Sequence, residues 1–331
     1  MIAITGAAGF IGSNLAARLS ADGNELLLTD YPLTASKLVN WLGLKNFQFL
    51  EHLEFLKALE AGRLSPDAVF HLGACSSTTE TDWKYLQRNN IEYSQQIWKW
   101  CAREQKPLIY ASSAATYGNG SAGYDDTTPP ELLQPLNLYG RSKNEFDLWV
   151  LKQVSTGKKT PSRWAGVKFF NVYGPRESHK GAMASVVWKA FRQIETVGEV
   201  SLFRSNDPAI RDGEQKRDFV FIEDCIDHML WLEQFPHAAG LYNSGTGHAR
   251  TFLDLVYAVF SALNKQPRIR FIDMPANLSS QYQNFTEAVM NKIRAAGYQK
   301  KATSLEEGVA KYISSLQKNT QEPLKGNRPH E

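Results

Sequence analysis

Short apolar runs alternate with amphipathic stretches through the first half of this 331-residue chain. Ile2-Ala-Ile-Thr5 predicts a strand, and the following stretch a helix burying Phe10, Ile11, Leu15 and Leu19. Leu26 to Thr29 predicts a second strand ending at Asp30. Ala68 to His71, Leu108 to Ala111 and Val167 to Phe170 continue the series. Nearly continuous apolar strands between helices imply a parallel sheet covered on both faces, the doubly wound α/β architecture. After Phe170 the rhythm breaks at Gly174-Pro175, and Arg204 to Arg217 has loop composition. Phe219 to Ile222 and Leu241 to Asn243 read as strands returning to the sheet, and Ile269 to Ile272 as a short strand among later helices. The expected division is 1–172 with 215–247 as a dinucleotide-binding domain, and 173–214 with 248–317 as a smaller α/β substrate domain built from separated segments. The polar tail 318–331, with Pro323, Gly326 and Pro329, reads as disordered.

Composition adds few constraints. The chain is 43% hydrophobic and 21% charged, with net charge +3, too little to argue for nucleic acid or a membrane surface as partner. Cys75, Cys101 and Cys225 share no metal-ligand spacing and suit a reducing compartment. No apolar run approaches the ~20 residues of a membrane span. A strand at Ile2 leaves no room for a signal peptide, so the expectation is a cytoplasmic protein. The scattered histidines predict no metal site, and Trp98, Trp100 and Trp149 read as packing residues.

The chemistry lies in two separated signals. Gly6, Gly9 and Gly12 fall between the first strand and first helix, where backbone amides and the helix dipole favour a pyrophosphate. Asp30, ending the next strand, suits adenosine ribose hydroxyls and hence NAD, whereas Lys37 suits the 2′-phosphate of NADP. Far downstream, Tyr139 and Lys143 stand four apart on one helix face. A tyrosine has an ordinary pKa of ~10, and an adjacent ammonium is expected to lower it toward a usable base. Ser113, closing Leu108 to Ala111 with Ser112, is placed to hydrogen-bond a substrate oxygen. Cys75 has no base near it in sequence and reads as a packed thiol.

This combination resembles the extended short-chain dehydrogenase/reductase superfamily over residues 1 to 315. Within it, Gly73-Ala-Cys-Ser-Ser-Thr-Thr-Glu80, Tyr110 to Gly118, Phe170 to Arg176, His179-Lys-Gly181, Arg217 to Val220 and Arg294 to Tyr298 are similar to the ADP-glyceromanno-heptose 6-epimerases. The resemblance implies epimerisation of an ADP-heptose at carbon 6, by oxidation to a ketone and re-reduction with bound NADP, NAD being the lesser alternative. It places acid/base groups at Tyr139 and Lys180 and carries the Lys180 assignment alone, since the residues themselves read only as a lysine in a loop. It implies cofactor contacts at Phe10, Ile11, Asp30, Tyr31, Lys37, Leu72, Gly73, Ala74, Cys75, Ser76, Asn89, Lys143, Val172 and Lys180. It implies substrate contacts at Ser113, Asn171, Ala182, Lys189, Phe203, Arg204, Ser205, Asn206, Arg217 and Tyr282. It further implies a homo-oligomer, in the form of a pentamer, and a role in supplying heptose for lipopolysaccharide core. Tyr31, His52, Leu72, Ala182 and Lys189 depart from that family's usual residues. Two other readings remain open: another nucleotide-sugar epimerase or dehydratase, such as a 4-epimerase, and an inactive dinucleotide-binding sensor or scaffold. Ala114-Ala115 in place of an acid pair argues against a dehydratase, Lys180 against a 4-epimerase, and intact Ser113, Tyr139 and Lys143 against a scaffold.

Overall fold

The computed structural model describes residues 1–31, 33–275 and 282–321. Seven parallel strands form its main sheet: β1 (Ile2–Thr5), β2 (Leu26–Asp30), β3 (Phe47–Glu51), β4 (Ala68–His71), β5 (Leu108–Ser113), β6 (Trp164–Phe169) and, late in the chain, Ala239–Ser244. Their order is Ala239–Ser244, β6, β5, β4, β1, β2, β3. From β1 the chain therefore winds outward to β3, then returns to wind the other way from β4. The crevice between β1 and β4, where the direction reverses, is where such sheets bind ligands.

Alternation along each strand feeds two cores. Ile4, Leu26, Leu28, Phe70, Ile109 and Val167 pack on one face. Ala3, Leu27, Val69, Leu108 and Tyr110 pack on the other, with Trp98, Trp100 and Trp164. Trp149 is partly buried against that second core, as expected for a packing residue.

Smaller pairings surround the carboxyl edge. Asn171–Tyr173 (β7) pairs in parallel with Phe219–Phe221, Val200–Phe203 (β8) in parallel with Ile269–Ile272, and Lys216–Arg217 (β9) antiparallel with Arg250–Thr251. Phe219–Phe221 (β10) thus does not rejoin the main sheet as its apolar pattern suggested. The chain leaves β6 at Phe169, and the short β7 that follows supplies the partner. Ala239–Ser244 (β11) does return, beside β6. Strand β3 was not expected, because its side chains are mostly exposed at the sheet edge and show no apolar run. The final helix spans Leu305–Gln321, so residues 318–321 are helical rather than disordered. The remainder of the expected tail lies outside the described residues.

Candidate functional site

A cleft of ≈ 1020 Å³ opens over the carboxyl ends of β1, β2, β4 and β5 and continues toward β8 and β9. On its floor, the chain turns from β1 into the helix Phe10–Ala21 through Gly6 to Gly9. Gly6 has φ +65°, and a Cβ there would lie 2.7 Å from Gly73 Cα. A Cβ on Gly12 would lie 2.2 Å from the Gly6 carbonyl oxygen. Only glycines allow this turn to close against the β4 loop. Gly9 caps the helix without a side-chain acceptor, which leaves the first-turn amides open to an anion.

Asp30, buried at the end of β2, braces the same turn. One carboxylate oxygen accepts from the Ala8 amide at 2.8 Å, and the other from the Tyr31 amide at 2.8 Å and from Lys37 Nζ at 3.0 Å. The lysine and the acid therefore occupy one position as an ion pair instead of competing for it. On the β4 side, Thr5 Oγ1 accepts from the Gly73 amide at 2.9 Å. Asn90 receives the Cys75 amide at 2.8 Å and donates to the Cys75 carbonyl and Ser142 Oγ at 3.0 and 2.9 Å. Asn89 and Asn90 sit in a π-helical segment, Gln87–Glu92, of the helix leading to Glu104. Such a widened turn is common at functional sites.

Opposite the glycine turn, Asn137 caps the helix Leu138–Ser155 by accepting from the Gly140 amide at 2.8 Å. That start places Tyr139 in the first turn and Lys143 one turn on. Lys143 Nζ donates to the Ala111 carbonyl at 2.9 Å, and burial holds its pKa down at about 8. The Tyr139 phenol hydrogen-bonds with Ser113. Its pKa is raised, chiefly by burial, with the Ser113 hydrogen bond opposing the rise. The expected lowering is absent because enclosing the phenol penalises phenolate by more than its surroundings recover. Ser112 points to the other side of β5, donating to Asp147 Oδ2 at 2.7 Å. Asp147 is also held by Tyr110 and by Lys168, whose Nζ stands at 2.8 Å, all in a fully enclosed network.

Lys180 enters from a third direction, on the turns Ser178–Met183. The kink comes from Gly181, with φ +53°. Glu177 anchors the base of these turns: its carboxylate accepts from the Ser185 amide and hydroxyl, each at 2.6 Å. Lys180 Nζ lies 5.2 Å from the centroid of the Phe10 ring, above the first residue of the glycine helix. Burial lowers its pKa, the Glu177 carboxylate opposes that, and Lys189 adds to it. Arg217 stands between the rings of Phe252 and Tyr282, 5.6 and 5.0 Å from their centroids.

The chain's wider similarity agrees with this site. A model of the NAD dependent epimerase/dehydratase family matches residues 2–245. The chain belongs to that family. Across 317 aligned residues it is 45% identical to an ADP-L-glycero-D-manno-heptose-6-epimerase of Nitratidesulfovibrio vulgaris, covering 95% of this chain and 97% of that one. A crystal structure of the Helicobacter pylori ADP-L-glycero-D-manno-heptose-6-epimerase superposes with TM-score 0.80 at 28% identity, over 96% of each chain. A Thermus thermophilus UDP-glucose 4-epimerase solved with NAD gives TM-score 0.77 at 25% identity, over 96% of this chain and 98% of that one.

A nicotinamide dinucleotide is the cofactor of this epimerase/dehydratase family member, and the glycine turn fits it, since added Cβ atoms would close the cradle where the pyrophosphate must approach. Nearly all sequence-derived site residues line the one cleft: Gly6, Gly9, Phe10, Ile11, Gly12, Asp30, Tyr31, Lys37, Leu72, Gly73, Ala74, Ser76, Asn89, Ser113, Tyr139, Lys143, Asn171, Val172, Lys180, Ala182, Lys189, Phe203, Arg217 and Tyr282. Cys75, Arg204, Ser205 and Asn206 are not on its wall. Arg204 instead pairs with Asp212 at 3.0 Å and Asp273 at 3.4 Å, and the Ser205 amide donates to Asp212 at 2.8 Å. Residues that hold the site without lining it, Asn40, Asn90 and Glu177, carried no signal in the sequence beyond being polar within largely apolar or loop segments.

Proposed function

We propose that this protein interconverts the two carbon-6 epimers of ADP-glycero-manno-heptose. The observation that carries the reading is that Tyr139 and Lys180, on separate elements, both border the same cleft as the glycine turn. Epimerisation by oxidation and re-reduction needs a proton-transfer group for each configuration, because the hydroxyl points oppositely in the two epimers. Bound along the glycine turn, the dinucleotide supplies a hydride acceptor that returns the hydride within one turnover. Ser113 orients the carbon-6 oxygen, Tyr139 takes or gives its proton for one epimer, and Lys180 does so for the other. Lys143 supports the tyrosine, and a lowered Lys180 pKa favours the neutral amine that a base requires. Arg217, flanked by aromatic rings, offers a fork of donors to the diphosphate. Asn171, Ala182, Lys189, Phe203 and Tyr282 surround the sugar nucleotide, with Arg204, Ser205 and Asn206 in the adjoining turn.

The reading extends to NADP as the preferred form, on the Lys37–Asp30 pair, which offsets the charge that would repel a 2′-phosphate. It divides the chain into a dinucleotide domain, 1–172 with 215–247, and a substrate domain, 173–214 with 248–317. It places the protein in the cytoplasm, in heptose supply for lipopolysaccharide core, as a homo-oligomer with the pentamer as the first form to test. The exposed apolar residues Leu38, Val39, Leu42, Phe47 and Phe49 near the β3 edge support self-association.

Incubating the protein with one ADP-heptose epimer and separating the products chromatographically tests the activity. Lys180→Met is expected to lower kcat by ~10²–10⁴-fold, the usual range for an acid/base group. A Lys180→Met enzyme with normal kcat and raised KM would make Lys180 a binding contact and overturn the two-base mechanism. Denaturing the purified protein and identifying the released nucleotide tests NADP: recovery of NAD alone would reverse that preference without touching the epimerase reading.

A further inference from the structure

The segment after β2 does more than present Lys37. Its next turn, Val39–Trp41, buries Asn40 beneath the cofactor loop. Asn40 Nδ2 donates to the Ala8 carbonyl at 2.9 Å and meets His179 Nδ1 at 3.0 Å. The backbone carbonyl of Asn40 in turn accepts from the Arg176 guanidinium. Trp41 closes the same joint by donating to the Ala7 carbonyl at 2.9 Å. Because a carbonyl can only accept, Ala8 fixes which end of the Asn40 amide is nitrogen. Both its hydrogens are then used, and His179 Nδ1 must be an unprotonated acceptor. One side chain thus ties the glycine turn to the turn that carries Lys180.

We infer that Asn40 is a positioning residue that, through His179, holds Lys180 in register with the cofactor cradle. The inference rests on the reading of Lys180 as the second proton-transfer group. No residue of the turns Ser178–Met183 is fully enclosed, with His179, Lys180 and Met183 half-buried, and the turns contain the left-handed Gly181, so packing alone does not fix them. Polar ties add the rest. Glu177 secures their base through Ser185, and Asn40 and Arg176 secure the cofactor side. Lys180 follows His179 directly, so releasing the imidazole frees the backbone from which the amine reaches the cleft.

The test mixes cofactor-loaded protein with each epimer separately and follows the near-ultraviolet absorbance of reduced nicotinamide in a single turnover. Lys180→Met first identifies the epimer whose oxidation depends on Lys180. Asn40→Ala is then expected to slow that epimer by ~10²-fold, the scale of an ångström-sized misplacement, and to slow the Tyr139-dependent epimer less, only as far as loss of the Ala8 bond loosens the cradle both share. His179→Ala, which keeps the Asn40–Ala8 bond, is expected to slow the Lys180-dependent epimer while leaving the other close to its original rate, and the double variant to be no slower on the Lys180-dependent epimer than the worse single one. If His179→Ala slows both epimers equally, or neither, while Lys180→Met remains asymmetric, the positioning role is overturned. If Lys180→Met is itself symmetric, the two-base reading falls and this inference falls with it.

Discussion

Burial sets the protonation of Lys143. With its amine held against the Ala111 carbonyl and away from water, the ammonium form persists only to about pH 8. If that charge supports Tyr139, kcat/KM is expected to fall as pH rises past about 8, since a lysine loses its charge above its pKa. Lys143→Arg keeps a permanent charge and is expected to remove this descending limb even at reduced activity. A pH profile of Lys143→Arg that keeps the limb would assign it to another group. Lys180 shows the opposite use of the same force. There a lowered pKa favours the neutral amine that the proposed base role requires, with the Lys189 cation adding to the lowering and Glu177 opposing it. The spacing of Tyr139 and Lys143 in the sequence identified the pair, but the direction of the phenol's shift depends on how far folding encloses it.

Among the elements, β5 shows how one strand serves two purposes. Ser112 and Ser113 are neighbours on opposite faces of the sheet. Ser113 borders the cleft, whereas Ser112 helps satisfy Asp147 underneath it, beside Lys168. With Lys168 and Asp147 both fully enclosed, removing one partner leaves an uncompensated charge. Lys168→Met is therefore expected to cost about 3–5 kcal/mol, read from urea unfolding. Lys168→Met with Asp147→Asn removes both charges and keeps an acceptor for Tyr110 or Ser112, so it is expected to recover much of that loss. A double variant as unstable as the single one would refute this account of the network. The glycine turn makes an equally sharp test. Gly12→Ala forces a Cβ to 2.2 Å from the Gly6 oxygen, so the cradle must open. The purified variant is expected to retain far less bound dinucleotide, while Gly157→Ala, which strains a left-handed turn (φ +69°) off the cleft wall with nothing near the added Cβ, is expected to retain it.

On the scale of the whole molecule, two enclosed histidines each weaken the fold in acid. His71, between Thr5 and Ser94 at the end of β4, is held neutral with a pKa of about 3. His228, on the helix Ile222–Gln234 against Ser244, is held at about 4. Both folded-state values lie below the ordinary ~6.5, so the unfolded chain binds more protons as pH falls below that point. Stability is expected to decline from about pH 6.5 toward pH 4, with a loss on the order of 2 kcal/mol per histidine by pH 5. Urea midpoints at pH 7 and 5 check this, and a His228→Gln variant should show a shallower decline.

The sequence by itself determined what depends on short range: the alternation of buried strands with helices, the glycines of the first turn, and the Tyr139–Lys143 spacing on one helix face. Those features follow from local periodicity and backbone freedom, which any chain segment carries with it. The motifs from Gly73 to Gly181 added the family and with it Lys180, which local pattern read only as an exposed lysine. Tertiary structure alone decided the rest. It placed exposed β3 at the sheet edge, paired β10 with β7 instead of the main sheet, and extended the last helix past Lys318. It also brought Asn40 and Asn90, distant in sequence from Ala8, His179 and Ser142, into the hydrogen bonds that hold the cleft. Their role comes from burial and from partners far along the chain, and so does the balance of charge on Lys143 and Lys180, because desolvation is a property of the folded surroundings and not of a residue or its neighbours in sequence.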